Sequence, residues 1–228
     1  VSKERVILCS DRPWGRDLQF SEGFLEEFDV IRCDSQESLE LLLLETLNPV
    51  WIFFTYWSSY ITREVFDKHR AVVFHMTDLP YGRGGSPLQN LILSGHVSTK
   101  LSAIACREAL DSGEIYIQRD LRLEGSTQQI YSRAASLMPE MIEYLCQNHP
   151  ILLQQRGRPL MFSGRSAAQS EMPAGLNSEK LYDFIRMLDA EGYPRAFIDL
   201  GPTRLVLSNA SLRDGILTAA ASGVEKGN

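Results

Sequence analysis

Four short apolar runs separated by helix-forming stretches constrain this chain more than any other feature. Arg5–Cys9, Asp29–Cys33, Val50–Phe54 and Ala71–His75 are rich in β-branched and aromatic residues and read as buried strands. Between them Leu18–Glu27, Glu37–Leu47 and a short Thr62–Lys68 read as helices. Asp34-Ser35-Gln36-Glu37 supplies capping chemistry before the second, and Asn48-Pro49 stops it. Strands alternating with helices predict an α/β domain around a central, mainly parallel sheet. In such sheets ligands bind beyond the carboxyl ends of the strands. Asp11–Asp17 follows the first run, Thr55–Tyr60 the third and His75–Gly85 the fourth, so all three are expected on one sheet edge.

Further along, Pro87–Gly95 reads as a short helix, and Leu101–Cys106 and Glu114–Asp120 as a strand pair flanking a loop at Asp111. Ser126–Asn148 is an amphipathic helix, with Ile130, Ala134, Leu137, Met141 and Leu145 recurring at three- or four-residue steps until His149-Pro150 ends it. Past the Gly157-Arg158-Pro159 turn, the polar Gly164–Gly175 segment marks a shift in composition. A helix over Ser178–Glu191 follows, with short strands around Ala196–Leu200 and Arg204–Leu207 and fraying from about Ser222. The expected division is an α/β core over residues 1–150 and a small C-terminal α+β extension over 151–228 that packs on the core.

A chain of 228 residues buries a substantial core. Its longest apolar runs, Leu41–Leu44 and Val50–Phe54, are far too short to span a bilayer, and no signal peptide is visible. Cys9, Cys33, Cys106 and Cys146 are scattered, without metal-ligand spacing; buried free thiols in a cytoplasmic protein, and no bound metal, are the expectation. A net charge of −6 with no basic run argues against a nucleic-acid partner.

The chemistry concentrates in His75-Met-Thr-Asp-Leu-Pro-Tyr-Gly-Arg-Gly-Gly-Ser-Pro87 and, later, Leu110-Asp111-Ser-Gly113-Glu-Ile115. A histidine and a carboxylate suit proton transfer and oxyanion stabilisation. Taken alone, His75 also reads as a core histidine and Asp111 as a turn residue. Their order together resembles the folate-dependent formyltransferases, whose pattern runs Asn-x-His-x-Ser-x-Leu-Pro-x-x-Arg-Gly-x-x-Pro, then Asp-x-Gly-x-Ile. His75, Leu79, Pro80, Arg83, Gly84 and Pro87 fall on it, as do Asp111, Gly113 and Ile115. Val73 stands where the family carries asparagine, so Thr77, a backbone amide or a water is expected to replace that donor. The resemblance is strong over residues 45–120 and weaker through Leu181–Arg186 and Gly192–Ala196.

What the resemblance implies is a Rossmann-like formyltransferase domain using N10-formyltetrahydrofolate as co-substrate. His75 is then the electrophile and Asp111 its orienting and proton-relaying partner. Phe54, Tyr56, Trp57, Leu79, Pro80, Gly113 and Glu114 fall at the folate pocket. Length leaves no room for the large C-terminal RNA-binding barrel of methionyl-tRNA formyltransferases, which points to a small acceptor. The overall pattern is most similar to sugar N-formyltransferases, which modify a nucleotide-linked amino-deoxysugar, with the pseudaminic acid pathway as the nearest branch. Arg12, Trp14 and Arg16, with Arg83 and Arg165, are the residues expected to bind such an acceptor. A formyltetrahydrofolate hydrolase and a catalytically impaired folate-binding module are the alternatives. Both monomer and homodimer remain open.

Overall fold

The structure, a computed structural model, describes residues 3–45 and 48–226. Two compact units are present, both discontinuous in sequence. The first takes in Val1–Arg83, Lys100–Leu121 and Ser132–Met161, the second Gly84–Thr99, Arg122–Tyr131 and Phe162–Asn228.

The first unit is built on a six-stranded sheet. The strands are β1 (Glu4–Cys9), β2 (Phe28–Cys33), β3 (Trp51–Phe54), β4 (Ala71–His75), β6 (Ser98–Ala105) and β7 (Ile115–Arg122), in the order β2-β1-β3-β4-β6-β7. Pairings β1–β2, β1–β3 and β3–β4 are parallel and β4–β6 is antiparallel, as a mainly parallel sheet requires. The central strands are apolar on both faces because helices cover both. Thus Val6 to Cys9 and Trp51 to Phe54 are all at most 1% exposed.

The crossovers are short helices. They are α1 (Pro13–Arg16) and α2 (Glu22–Glu27) after β1, α3 (Gln36–Leu44) after β2 and α4 (Arg63–Lys68) after β3. Pro13 opens α1, a short helix within the Asp11–Asp17 segment expected after the first strand. Helix α2 begins later than expected because the Ser21 side chain accepts from the Phe24 amide and caps it there. Ser35 likewise caps α3 by accepting from Ser38. The end expected for α3, at Thr46 and Leu47, lies outside the described residues.

Strand order reverses at β1, which has β2 on one side and β3 on the other. The loops leaving β1 and β3 are stitched together at this switch point. The Asp11 amide donates to Tyr56 O (3.3 Å), the Ser58 amide to Asp11 Oδ2 (2.9 Å), and Thr55 Oγ1 to Gly15 O (3.1 Å). Gly15 makes the contact possible, since a Cβ there would stand 2.3 Å from Ser10 Oγ and 2.7 Å from the Tyr56 ring.

Helix α6 (Thr127–Asn148) buries Ile130, Ala134, Met138, Met141, Ile142 and Leu145. Met138 rather than the half-buried Leu137 takes the inward position between Ala134 and Met141. All four cysteines are free and buried, and burial pushes the Cys106 thiol up to about 11. Strand β5 (Tyr81–Gly84) pairs with β8 (Leu160–Phe162) in a ladder the sequence hid, because the Gly-rich run reads as loop.

The second unit holds α5 (Pro87–Leu93), α7 (Ser178–Arg186) and an antiparallel sheet of β9 (Phe197–Leu200), β10 (Thr203–Arg213) and β11 (Ile216–Glu225), in the order β11-β10-β9. Helix α7 stops at Arg186 instead of reaching Glu191, and the next turns tighten to shorter bonds such as Leu188 N–H to Ile185 O (3.1 Å). Fraying from Ser222 is not observed. Residues 216–225 form β11, whose register with β10 runs from Arg213↔Ile216 to Thr203↔Glu225. Arg186, 9% exposed, donates to Leu123 O (2.5 Å) and Gly125 O (2.9 Å) and pairs with Asp183 (2.7 Å); in this unit it is a structural residue. Among the described residues no helix is long and apolar enough to cross a membrane, and no group of three or more His, Cys, Asp or Glu side chains has metal-binding geometry.

Candidate active site

Strand β4 ends at His75, on the same carboxyl edge as the loops after β1 and β3 because the three strands are parallel. The imidazole is 7% exposed and its nitrogens face two different groups. Nε2 lies 2.7 Å from Gly82 O, and Nδ1 lies 3.6 Å from Asp111 Oδ2. A carbonyl accepts and cannot donate, so the Nε2 site carries a proton. Nδ1 then faces a carboxylate whose side chain is itself 8% exposed. At 3.6 Å the contact is longer than a hydrogen bond, and it is an ion pair only when the ring carries a second proton. The pair thus offers one N–H and one carboxylate across a single ring.

Asp111 reaches this place from a strained loop. Its φ is 50°, in the left-handed region that Asp and Asn tolerate better than most residues. The turn before it is closed by the Ser112 amide and hydroxyl, both donating to Ala109 O (3.2 and 2.6 Å). The turn after it presses on β6, where the Ala105 amide donates to Glu114 O (2.9 Å). Glu114 pairs with Arg107 at 2.8 Å; its own backbone amide first, and then Arg107, hold its carboxyl below the usual range.

Val73 and His75 are two apart on β4 and share a face. Val73 packs on Leu79, Ile104 and Ile115, an apolar floor beside the histidine. Thr77, the expected replacement donor, is fully buried, and its hydroxyl donates to Gly82 O (3.3 Å), the same carbonyl that faces His75 Nε2. Val73→Asn is expected to cost about 1–3 kcal/mol if the amide lacks partners in this floor, and to change kcat where Val73→Ala does not. Chemical denaturation and steady-state kinetics on both variants check this; identical kinetics would put position 73 out of reach of the reacting atoms.

The other sequence-named residues divide into several groups. Leu79 and Pro80 are buried immediately after His75, and Gly113 and Glu114 flank Asp111. Tyr56 and Trp57 are half-buried, with Tyr56 edge-on to Trp14 at 6.1 Å. Phe54 is 1% exposed and packs in the cluster of Ile7, Cys9 and Ile52, in a run of four buried residues. Arg12 lies 3.5 Å from Asp11, and Arg16 donates to Asp34 at 2.5 Å. Arg83 is not open to solvent as a free cation: Nε and Nη2 both donate to Gln155 Oε1 (3.0 and 2.7 Å). Gln155 was not singled out by sequence, and nothing in its Gln-Gln-Arg context marks it. Arg165 belongs to the second unit, where its amide donates to Ser86 Oγ (3.0 Å), its guanidinium to Gln169 O, and its charge lies over the Phe184 ring. That unit also has an open cavity of about 580 Å³ lined by Tyr182, Arg186, Asp189 and Arg195 among others.

A buried histidine facing a buried carboxylate thus lies at the carboxyl edge of the sheet, where α/β sheets of this kind bind ligands. Residues 167–222 match the family model described as methionyl-tRNA formyltransferase, C-terminal domain. A solved methionyl-tRNA formyltransferase from Clostridium thermocellum is 38% identical, with a TM-score of 0.91 over 98% of this chain and 100% of that one. A curated methionyl-tRNA formyltransferase from Caldicellulosiruptor saccharolyticus is 25% identical over 52% of this chain and 42% of its own length, so the chain spans less than half of that relative. An N-formyltransferase from Helicobacter canadensis, solved with folinic acid and dTDP-3-aminofucose, shares the fold at 14% identity and a TM-score of 0.57, over 90% of this chain and 95% of that one. The chain belongs to the formyltransferase family. The matched segment, 167–222, falls within the C-terminal extension expected from the sequence and contributes strands to the three-stranded antiparallel sheet.

Proposed function

We propose that this chain transfers a formyl group from N10-formyltetrahydrofolate to the amino group of a nucleotide-linked amino-deoxysugar, of the kind found in pseudaminic acid biosynthesis. The observation that carries the reading is the His75–Asp111 pair, buried at the end of β4 on the edge shared with the Arg12–Arg16 loop. The apolar floor of Leu79, Ile104 and Ile115 suits the flat heterocycle of a folate, and the backbone around Gly113 and Glu114 suits its polar edge. The donor supplies the electrophilic formyl carbon. The Nε2–H of His75, which donates to Gly82 O in the substrate-free protein, turns to an oxyanion forming there. Asp111 stabilises positive charge on the ring and takes the proton released by the attacking amine. The tetrahedral intermediate then breaks its bond to N10, and that proton passes to N10 as tetrahydrofolate leaves.

Phosphates of the acceptor would meet Arg12 and Arg16 by displacing Asp11 and Asp34. Such partly exposed pairs contribute only about 0–1 kcal/mol, so the exchange is cheap. Arg12→Ala or Arg16→Ala should raise the acceptor KM about tenfold or more, with affinity for the folate donor unchanged.

A second reading is favoured by the 38% identical relative, which is named for methionyl-tRNA. A net charge of −6 weighs against a polyanionic acceptor. The test presents formyltetrahydrofolate with a panel of amino-sugar nucleotides, with methionyl-tRNA, and with water alone, and follows acceptor mass and formate. Formylated sugar is expected. Formylated methionyl-tRNA alone would replace the acceptor assignment, formate alone would make the chain a hydrolase, and no turnover with folate bound would make it a binding module.

A further inference from the structure

We propose that Gln155 is a positioning residue for formyl transfer, holding the Asp111 loop in register with His75; this rests on the formyl-transfer reading above. Its carboxamide is used completely. Oε1 accepts twice from the Arg83 guanidinium (3.0 and 2.7 Å), and Nε2 donates to both Asp111 O (2.8 Å) and Gly113 O (2.7 Å). The orientation is unambiguous, because a guanidinium only donates and a carbonyl only accepts, so a flipped amide would oppose all four contacts.

The segment carrying Gln155 is tied at both ends. On one side Leu153 exchanges two backbone bonds with Ile115 (2.8 and 2.9 Å), just past the Asp111 loop. On the other the Leu160 amide donates to Pro80 O (3.2 Å), in the loop that follows His75. Gln155 therefore stands between the loop that supplies the carboxylate and the loop that follows the imidazole. One of its acceptors is the carbonyl of Asp111 itself, the residue at φ 50°, and the other is two residues on, at Gly113. A left-handed non-glycine residue persists where its surroundings over-determine it, and two carbonyls fixed by one amide do that. Arg83, matched to the family pattern as a candidate for substrate, instead anchors the far side of this amide.

Gln155→Glu separates the two halves of the role. A carboxylate keeps the acceptors for Arg83 and turns an oxygen toward the Asp111 and Gly113 carbonyls, so the anchor stays and the loop is released. Gln155→Ala removes both. Each variant should lose kcat and kcat/KM together by about 10²-fold, the scale of a reacting group misplaced by an ångström, with the acceptor KM little changed. Arg83→Ala should follow the same pattern.

The deciding measurement is the ring-nitrogen NMR titration of His75 in the substrate-free protein, with circular dichroism as the check on folding. In both Gln155 variants the titration should move, because the distance of the Asp111 carboxylate from Nδ1 has changed. An unmoved titration with wild-type kcat in Gln155→Glu overturns the proposal. So does an acceptor KM that rises in Arg83→Ala at constant kcat, which would put Arg83 on the substrate. A titration that moves in a protein transferring no formyl group leaves the positioning role standing and removes the functional reading instead.

Discussion

His75→Ala and Asp111→Asn should each lower formyl-transfer kcat by about 10²–10⁴-fold, and the double variant should lose little beyond the worse single one. Two groups acting through one imidazole form a unit: without Asp111 the ring is no longer paired, and without the ring the carboxylate has nothing to orient. Asparagine is the informative replacement at 111. Its shape preserves the contact to Nδ1, and it tolerates φ 50°, where alanine adds roughly 1–2 kcal/mol of backbone strain to the loss of chemistry. The carboxamide cannot stabilise an imidazolium as a charge does. Steady-state kinetics with circular dichroism reads the result. Wild-type kcat in a folded single variant, or single losses that multiply in the double, would dismantle the pair.

The inner strands β1, β3 and β4 were legible because each carries a continuous apolar run, the signature of a strand covered on both faces, whereas β2, at the sheet edge, keeps Asp29 and Arg32 exposed. His75 was legible for a related reason, as a polar residue closing such a run at the sheet edge where ligands bind. The same continuity leaves the two sides of β3 indistinguishable in sequence: with Trp51, Ile52, Phe53 and Phe54 all buried, no alternation separates one face from the other. Strand β11 was invisible because Ala219, Ala220 and Ala221 have neither alternation nor β-branching, and its backbone is fixed by pairing with β10. Gln155 was invisible in a stronger sense. Its partners are an arginine 72 residues away and two carbonyls 44 and 42 residues away, and carbonyls leave no trace in a sequence.

Gly113→Ala should both destabilise the protein and disable it, through space rather than conformation. An added Cβ at 113 would stand 1.7 Å from Ala105 O and 2.7 Å from Ala105 C, atoms of a central strand that do not yield as a side-chain tip would. The loop must therefore move. Moving it stretches the bond from the Ala105 amide to Glu114 O and the one from Gln155 to Gly113 O, the two contacts that set where Asp111 points. Overpacking of this kind costs about 1–3 kcal/mol. An ångström of displacement at the carboxylate costs about 10²-fold in rate. Gly23→Ala is the matched control. Gly23 lies in α2 with nothing within 4 Å of an added Cβ, so the change should stabilise by up to about 1 kcal/mol and leave kcat alone. Urea midpoints and kcat for both variants separate the cases. A Gly113→Ala protein with the wild-type midpoint and turnover would mean that the Asp111 loop does not rest on β6, and the geometry of the His75–Asp111 pair would lose its support.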